Sequence, residues 1–185
     1  MSPQEEIKWY PMRVTYNKVE KIKKLLDEKK IENFLPMCYK KEQEGGDNNA
    51  GKLTPAFRNL IFIHSSMSVI ISLKHGWEEF EPLRFMVRKS VISGLNSVIY
   101  INDEDMDNFL RVATITDEDS VFFLEDSDFL RKPGKRVRVT EGDFADVEGV
   151  IKRIKGNKRV VVQLEGVASV AIAFVPSKFL ESIDN

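Results

Sequence analysis

The stretch Gly134-Lys-Arg-Val-Arg-Val-Thr-Glu-Gly142-Asp-Phe144-Ala-Asp-Val-Glu-Gly149-Val150 decides how this chain is organised. Val137 and Val139 alternate with Arg136 and Arg138, the two-residue period of a strand with one face turned inward. Gly134 and Gly142 fall at turn positions suited to positive φ, and Gly149 suits a bend or a close approach ahead of Val150 and Ile151. Phe144 is then the expected plug of a small barrel, with Arg136, Arg138, Lys152 and Arg153 projecting from its surface. Further on come a KGNKR turn at 155–159, VVVQL at 160–164 and SVAIAFVP at 169–176, with no helical period before SKFLESI at 177–183. Residues 131–185 therefore read as an antiparallel barrel of short strands broken by Gly-containing turns, just large enough to fold alone.

Immediately upstream, residues 116–130 hold Asp117, Glu118, Asp119, Glu125, Asp126 and Asp128 around a short apolar insert, Val121 to Leu124, and read as an acidic linker. Residues 1–115 have a different texture. KWYPMRV at 8–14 is an edge or first strand, because Pro11 removes a ladder donor. From Asn17, a natural N-cap, Val19, Ile22, Leu25 and Leu26 recur at helical spacing with lysines on the other face. Ile31 to Tyr39 reads as a second strand, and the polar, glycine-containing run from Lys41 to Lys52 as a mobile loop. Phe57 to His64 is a strongly apolar strand, 69–73 a short turn of helix, Leu83 to Val87 and Val98 to Ile101 further strands. Met106, Phe109, Leu110 and Ala113 then share one helical face behind an Asn102 or Asp103 cap. The order β, α, β, β, α, β, α implies a sheet with helices packed on it, so the whole chain is α+β.

Charge is unevenly spread. The total of 28 basic and 29 acidic residues conceals a net +4 in residues 1–101, +4 in 131–185 and −9 in 102–130. Both folded modules are mildly basic, less so than a dedicated nucleic-acid binder, and their charges read first as solvated faces. With 42% hydrophobic and 31% charged residues and 12 Phe, the chain is expected to be globular rather than disordered. It has no apolar run of membrane-spanning length and no signal-peptide pattern, and Cys38 has no partner for a disulfide, so a cytoplasmic location is expected.

Catalytic chemistry finds little purchase. One Cys and two His, His64 and His75, cannot supply the usual four N/S ligands of a zinc site. Cys38 sits in an apolar run that disfavours a thiolate, and no nucleophile elbow, phosphate loop or H-E-x-x-H is present. Asp103, Glu104, Asp105 and Asp107 lack the glycine and distal Glu of an EF-hand and read as helix capping and solvation. Gly45, Gly46 and Gly51 lack the Lys-Thr of a phosphate loop, and Lys8, Trp9, Tyr10 and Arg13 read as strand core at least as readily as a stacking platform. No cofactor is expected, and a chain of this kind works by binding. Trp9, Phe57, Leu60, Phe62 and Phe85 lie on separate strands and on pattern alone read as core.

The KWY at 8–10, the amphipathic helix after Asn17, FLP at 34–36, PAFRNLIFI at 55–63 and the Gly134–Val150 motif, which is similar to a KOW motif, together resemble the NusG family of transcription elongation factors over nearly the full length. The resemblance implies residues 1–115 as an NGN-type α/β sandwich, an antiparallel sheet flanked by helices. The acidic linker at 116–130 then leads to a KOW domain at 131–185, a small SH3-like β-barrel carrying Gly134, Val137, Gly142, Phe144, Gly149 and Val150. It implies a non-enzymatic, monomeric regulator whose N-terminal domain docks an apolar face on the clamp helices of the largest subunit of bacterial RNA polymerase and suppresses pausing. The resemblance further implies that the KOW domain recruits Rho or a small-subunit ribosomal protein, with nascent RNA or non-template DNA as a further expected contact.

By matching positions, Phe57, Leu60 and Phe62 become polymerase-binding residues, joined by Trp9 and Phe85 near them on neighbouring strands, which turns the core reading into an exposed patch with aromatic anchors. Polar residues at Phe57 and Phe62 are then expected to abolish polymerase association with the fold intact. The family's P-G-Y is here Arg58-Asn59-Leu60, and the glycine usual late in the KOW motif is Asp146. With the polar loop and the acidic connector, these departures imply a specialised paralogue of the RfaH or UpxY kind, acting on selected operons such as those for surface polysaccharides. A KOW domain that switches fold is not expected, given the β alternation of 160–176. The competing reading is a KOW-containing RNA-binding or ribosome-associated module.

Overall fold

A computed structural model describes residues 6–40, 51–90, 94–117, 119–124 and 133–184. They fall into two compact units, one from residues within 1–36 and 57–103, the other from residues within 37–56 and 104–185. The first is built on β1 (Lys8–Val14), α1 (Val19–Glu28), β2 (Asn33–Phe34), β5 (Leu60–Ser65), α2 (Met67–Gly76) and β6 (Leu83–Phe85). Its antiparallel sheet has the order β2-β5-β1-β6. A separate two-stranded ribbon pairs β7 (Val87–Lys89) with β8 (Asn96–Val98).

β1 is the first strand, as one of the two readings had it, and it is internal to the sheet, which corrects the edge reading drawn from Pro11. Alternate residues of a strand direct their N–H groups to opposite neighbours. The Val14 N–H bonds the Asn59 carbonyl beside β5, whereas the Trp9 carbonyl accepts from Ile101 on the other side. Pro11, in phase with Trp9, turns its missing donor to that second side, where pairing with β6 begins only at Met12. No ladder bond to β5 is lost.

Ile22 and Leu26 of α1 are fully buried at the expected helical spacing, with Val19 nearly so. The helix starts one residue later than expected: Lys18 stands at the N-cap without a side-chain cap, and Tyr16 and Asn17 adopt positive φ of 62° and 53°. Asn17 therefore makes the turn into the helix, a conformation Asn tolerates. α2 is longer than the turn expected at 69–73, and Ser66 starts it, its hydroxyl accepting from the Val69 N–H at 3.4 Å. The strand expected over Ile31 to Tyr39 is two strands with different partners. β2 joins β5, and β3 (Met37–Lys40) forms a ribbon with β4 (Lys52–Pro55). Of the loop expected at Lys41 to Lys52, residues 41–50 lie outside the described residues.

The second unit holds that ribbon, all of α3 (Asp103–Ala113) but its first residue, and a six-stranded antiparallel sheet. Its order is β14-β10-β11-β12-β13-β9, from β9 (Val121–Leu124), β10 (Arg136–Val139), β11 (Glu148–Ile154), β12 (Asn157–Leu164), β13 (Ala168–Ile172) and β14 (Leu180–Ser182). Val137 and Val139 turn inward as expected, while Val160 to Val162 and Ala168 to Ile172 are buried on both faces. Phe122, Leu124 and Ile154 cover Val161 and Ala171. The apolar insert of the expected linker is thus an edge strand of this sheet, paired from Val121↔Ile172 to Leu124↔Ser169. The flanking residues 118 and 125–132 lie outside the described residues.

Candidate functional site: strand core and charged barrel face

The residues expected to meet a polymerase all lie in the first unit, where four of the five are core and Phe85, paired with Met12, falls on the sheet face opposite Trp9, Leu60 and Phe62. Leu60, Ile61, Phe62 and Ile63 are all fully buried, so successive residues of β5 find cover on both faces of the sheet. Trp9 and Phe57 are only 5% and 6% exposed. An exposed patch at Trp9, Phe57, Leu60 and Phe62 is therefore corrected to buried core. The reason is topological: β5 pairs with β1 and β2, and Phe62 packs its ring 6.2 Å from that of Phe34. Phe85, on the edge strand β6, is the half-buried member, and Tyr10 meets it edge-on at 6.1 Å.

Trp9 has a polar neighbour that sequence reasoning left without a role. His64 stacks on the indole at 4.6 Å, with Nδ1 2.6 Å from Glu32 Oε2 and Nε2 3.5 Å from Asp103 Oδ1. An imidazole flanked by two carboxylates ties the start of α3 to β5 and to the turn before β2. Only pairing register reveals this, since Trp9 and His64 lie 55 positions apart and become partners across β1 and β5. Among the described residues no three His, Cys, Asp or Glu side chains are disposed to hold a metal.

The motif glycines divide by physical cause. Gly142 has φ of +88°, the expected glycine conformation. Gly134 instead serves close approach: a Cβ there would stand 2.5 Å from Val150 Cγ1 and 2.7 Å from the Ile151 carbonyl oxygen. Gly149 likewise admits Val160 and Val161, at 2.7 and 2.8 Å from the position of a Cβ. Asp146, where the resemblance leads to the expectation of glycine, adopts φ of +67°, and its N–H bonds the Val139 carbonyl. The glycine-like backbone is kept with a residue that visits the left-handed region more readily than most. Phe144 is half-buried in the turn and so is no plug; the interior is filled by Val137, Val139, Val147 and the residues of β12 and β13.

Around Glu148 the charges are matched. Its carboxylate accepts from Arg138 at 2.5 and 3.1 Å and lies 3.5 Å from Arg136, and the hydrogen bond to Glu148 holds the Arg138 guanidinium above its ordinary value. Asn108 of α3 grips the Glu148 backbone twice, accepting from its N–H at 2.9 Å and donating to its carbonyl at 2.8 Å. Glu104, Asp105, Asp107, Arg111 and Asp146 line an open cleft of about 450 Å³ beside this grip.

The arrangement offers binding faces and a fold of two modules, an apolar-cored sheet and a β-rich motif domain with basic strands. A family model described as transcription termination factor nusG matches residues 7–110, and a KOW motif model matches residues 133–163. The chain belongs to the NusG family, whose domains are those of transcription elongation and termination factors. A solved structure described as domain interaction in Thermotoga maritima NusG shares 19% identity with this chain, covering 97% of it and 98% of that chain, with a TM-score of 0.44. No curated protein sequence matches. No helix among the described residues is long and apolar enough to cross a membrane.

Proposed function

We propose that this protein is an operon-selective elongation and antitermination regulator. Its N-terminal domain, residues 1–115, binds the clamp helices of the largest RNA polymerase subunit and suppresses pausing or termination. Its KOW domain at 131–185, whose sheet Val121 to Leu124 extends as an edge strand, recruits Rho or a small-subunit ribosomal protein. The observation that carries this reading is the succession of the two family models along one chain. The departures at Arg58-Asn59-Leu60 and Asp146 support a specialised paralogue of the RfaH or UpxY kind, directed to operons such as those for surface polysaccharides. Phe85 is the proposed aromatic contact, since it alone of the five candidate residues keeps appreciable exposure. Trp9, Phe57, Leu60 and Phe62 serve as core of the same unit.

The test is single-round elongation by purified bacterial RNA polymerase on a template with a strong pause, with and without the full-length protein. The expected result is a shortened pause and co-elution of protein with polymerase. Phe85→Ser should weaken co-elution at least several-fold while leaving the circular dichroism spectrum native. Unchanged pausing together with no co-elution would overturn the reading.

A further inference from the structure

Only Met86 separates β6 from β7, and the two strands share one outward row of backbone. The Thr15 N–H bonds the Pro82 carbonyl on the β1 side, while on the β8 side the Ile99 N–H bonds the Met86 carbonyl and the Ser90 N–H bonds the Leu95 carbonyl. Even-numbered residues from 82 to 90 therefore turn their peptide groups to β1 or β8, and Leu83, Phe85, Val87 and Lys89 turn theirs the other way. Lys74 Nζ donates to the Leu83 carbonyl and closes that end of the row. Beyond it no described strand lies alongside: β6 is the last strand of its sheet, and β7 pairs with β8 alone. Among the described residues the outward groups of Phe85, Val87 and Lys89 have no backbone partner, so Phe85 to Lys89 is an open edge.

A two-stranded ribbon by itself is marginal in water and gains from a third strand. A row of unpaired peptide groups is a template for one. Charge decides which strand fits. From Pro82 to Ile101 there are three cations, Arg84, Arg88 and Lys89, and no acidic residue. Arg84 is held by Glu81 at 2.6 Å, whereas Arg88 and Lys89 are exposed neighbours on β7 and so point to opposite faces of the edge. A second copy added here would double the positive charge along the seam, and cations on an edge guard against such pairing. An acidic strand would neutralise that charge with cross-strand pairs.

We propose that Phe85 to Lys89 is a strand-addition site for an extended acidic segment of a partner protein. Main-chain bonds to Phe85, Val87 and Lys89 supply the affinity, and the alternating side chains supply the selection. The segment that fits carries apolar residues beside Phe85 and Val87 on one face and a carboxylate beside Arg88 on the other, with a further carboxylate opposite Lys89. The inference uses the backbone of Phe85 and not its ring, and so stands apart from polymerase docking.

The experiment is fluorescence anisotropy of a labelled short peptide of alternating valine and glutamate titrated with the full-length protein, joined to amide hydrogen exchange on the complex. The expected result is binding that weakens as salt rises, with the Val87 and Lys89 amides newly protected. Val87→Pro removes an outward donor but none of the bonds between β7 and β8, which run through Arg88 and Ser97, and should weaken binding about tenfold or more. Arg88→Glu/Lys89→Glu should weaken binding several-fold and take up a peptide of alternating valine and lysine instead, a swap that a damaged fold would not produce. Absence of binding, unchanged binding by Val87→Pro, or equal binding of a peptide N-methylated throughout, which cannot pair, would each overturn the proposal. Protection of the Val87 and Lys89 amides that grows with protein concentration in the absence of peptide would also overturn it, assigning the edge to a second copy.

Discussion

Phe62→Ala is the perturbation that most directly tests whether β5 is core or docking face. Phe62 is fully buried, lies between equally buried Ile61 and Ile63, and packs on Phe34. Removing a phenyl ring from such a site loses its transfer free energy and leaves a cavity that strands paired on both sides cannot close, a cost of about 3–5 kcal/mol. Against a typical total of roughly 5–15 kcal/mol, that is a large share of the stability. For a chain of this length it corresponds to a melting temperature lower by about 6–20 °C. Both tryptophans, Trp9 and Trp77, lie in the same unit as Phe62, so urea unfolding followed by tryptophan fluorescence reads the affected unit. Phe85→Ala, at a half-buried edge position, should cost about 1–2 kcal/mol on the same reasoning. A Phe62→Ala loss below about 1 kcal/mol, or one equal to that of Phe85→Ala, would refute the two-sided burial of β5.

Gly149→Ala should destabilise by about 2–3 kcal/mol in urea titrations followed by circular dichroism, because the new methyl would collide with the Val161 carbonyl, which the ladder holds in place. Gly156→Ala, with open space but φ of +85°, should cost only about 1–2 kcal/mol, with part of it recovered by Gly156→Asn. Burial holds the Lys152 ammonium below its ordinary value of 10.5, so folding penalises the charged form. That penalty is full below the folded pKa and vanishes as pH rises through it toward 10.5. Lys152→Met should therefore stabilise at pH 7, with the gain shrinking in alkaline melts. Asp27 is held below its ordinary 3.8, chiefly by Lys23 at 2.7 Å and also by Asn33 at 2.8 Å. Its contribution is present above pH 3.8 and lost as pH falls through the folded pKa. Asp27→Asn should thus cost about 0.3–0.5 kcal/mol at pH 7 and converge with the parent in acid melts.

What the sequence determined by itself is what local period and turn chemistry encode. The alternation of Arg136 to Val139, the helical spacing of Val19, Ile22 and Leu26, and the glycine conformation at Gly142 are properties of neighbours in the chain, and each is realised. Long-range pairing was not encoded that way. Leu60 to Ile63 is a continuous apolar run, and such a run carries no period to say whether one face or both are covered; only the strand order β2-β5-β1-β6 decides for core. The same holds for Val121 to Leu124, whose acidic surroundings read as a linker until β13 supplies a ladder. Pro11 was a local veto on an internal strand, lifted because its missing donor points to where β6 has not yet begun. His64 with Glu32 and Asp103, and Asn108 with Glu148, exist only once distant segments meet. Sequence fixes which backbone shapes are cheap, whereas tertiary contact decides which side chains lose water and which charges find partners.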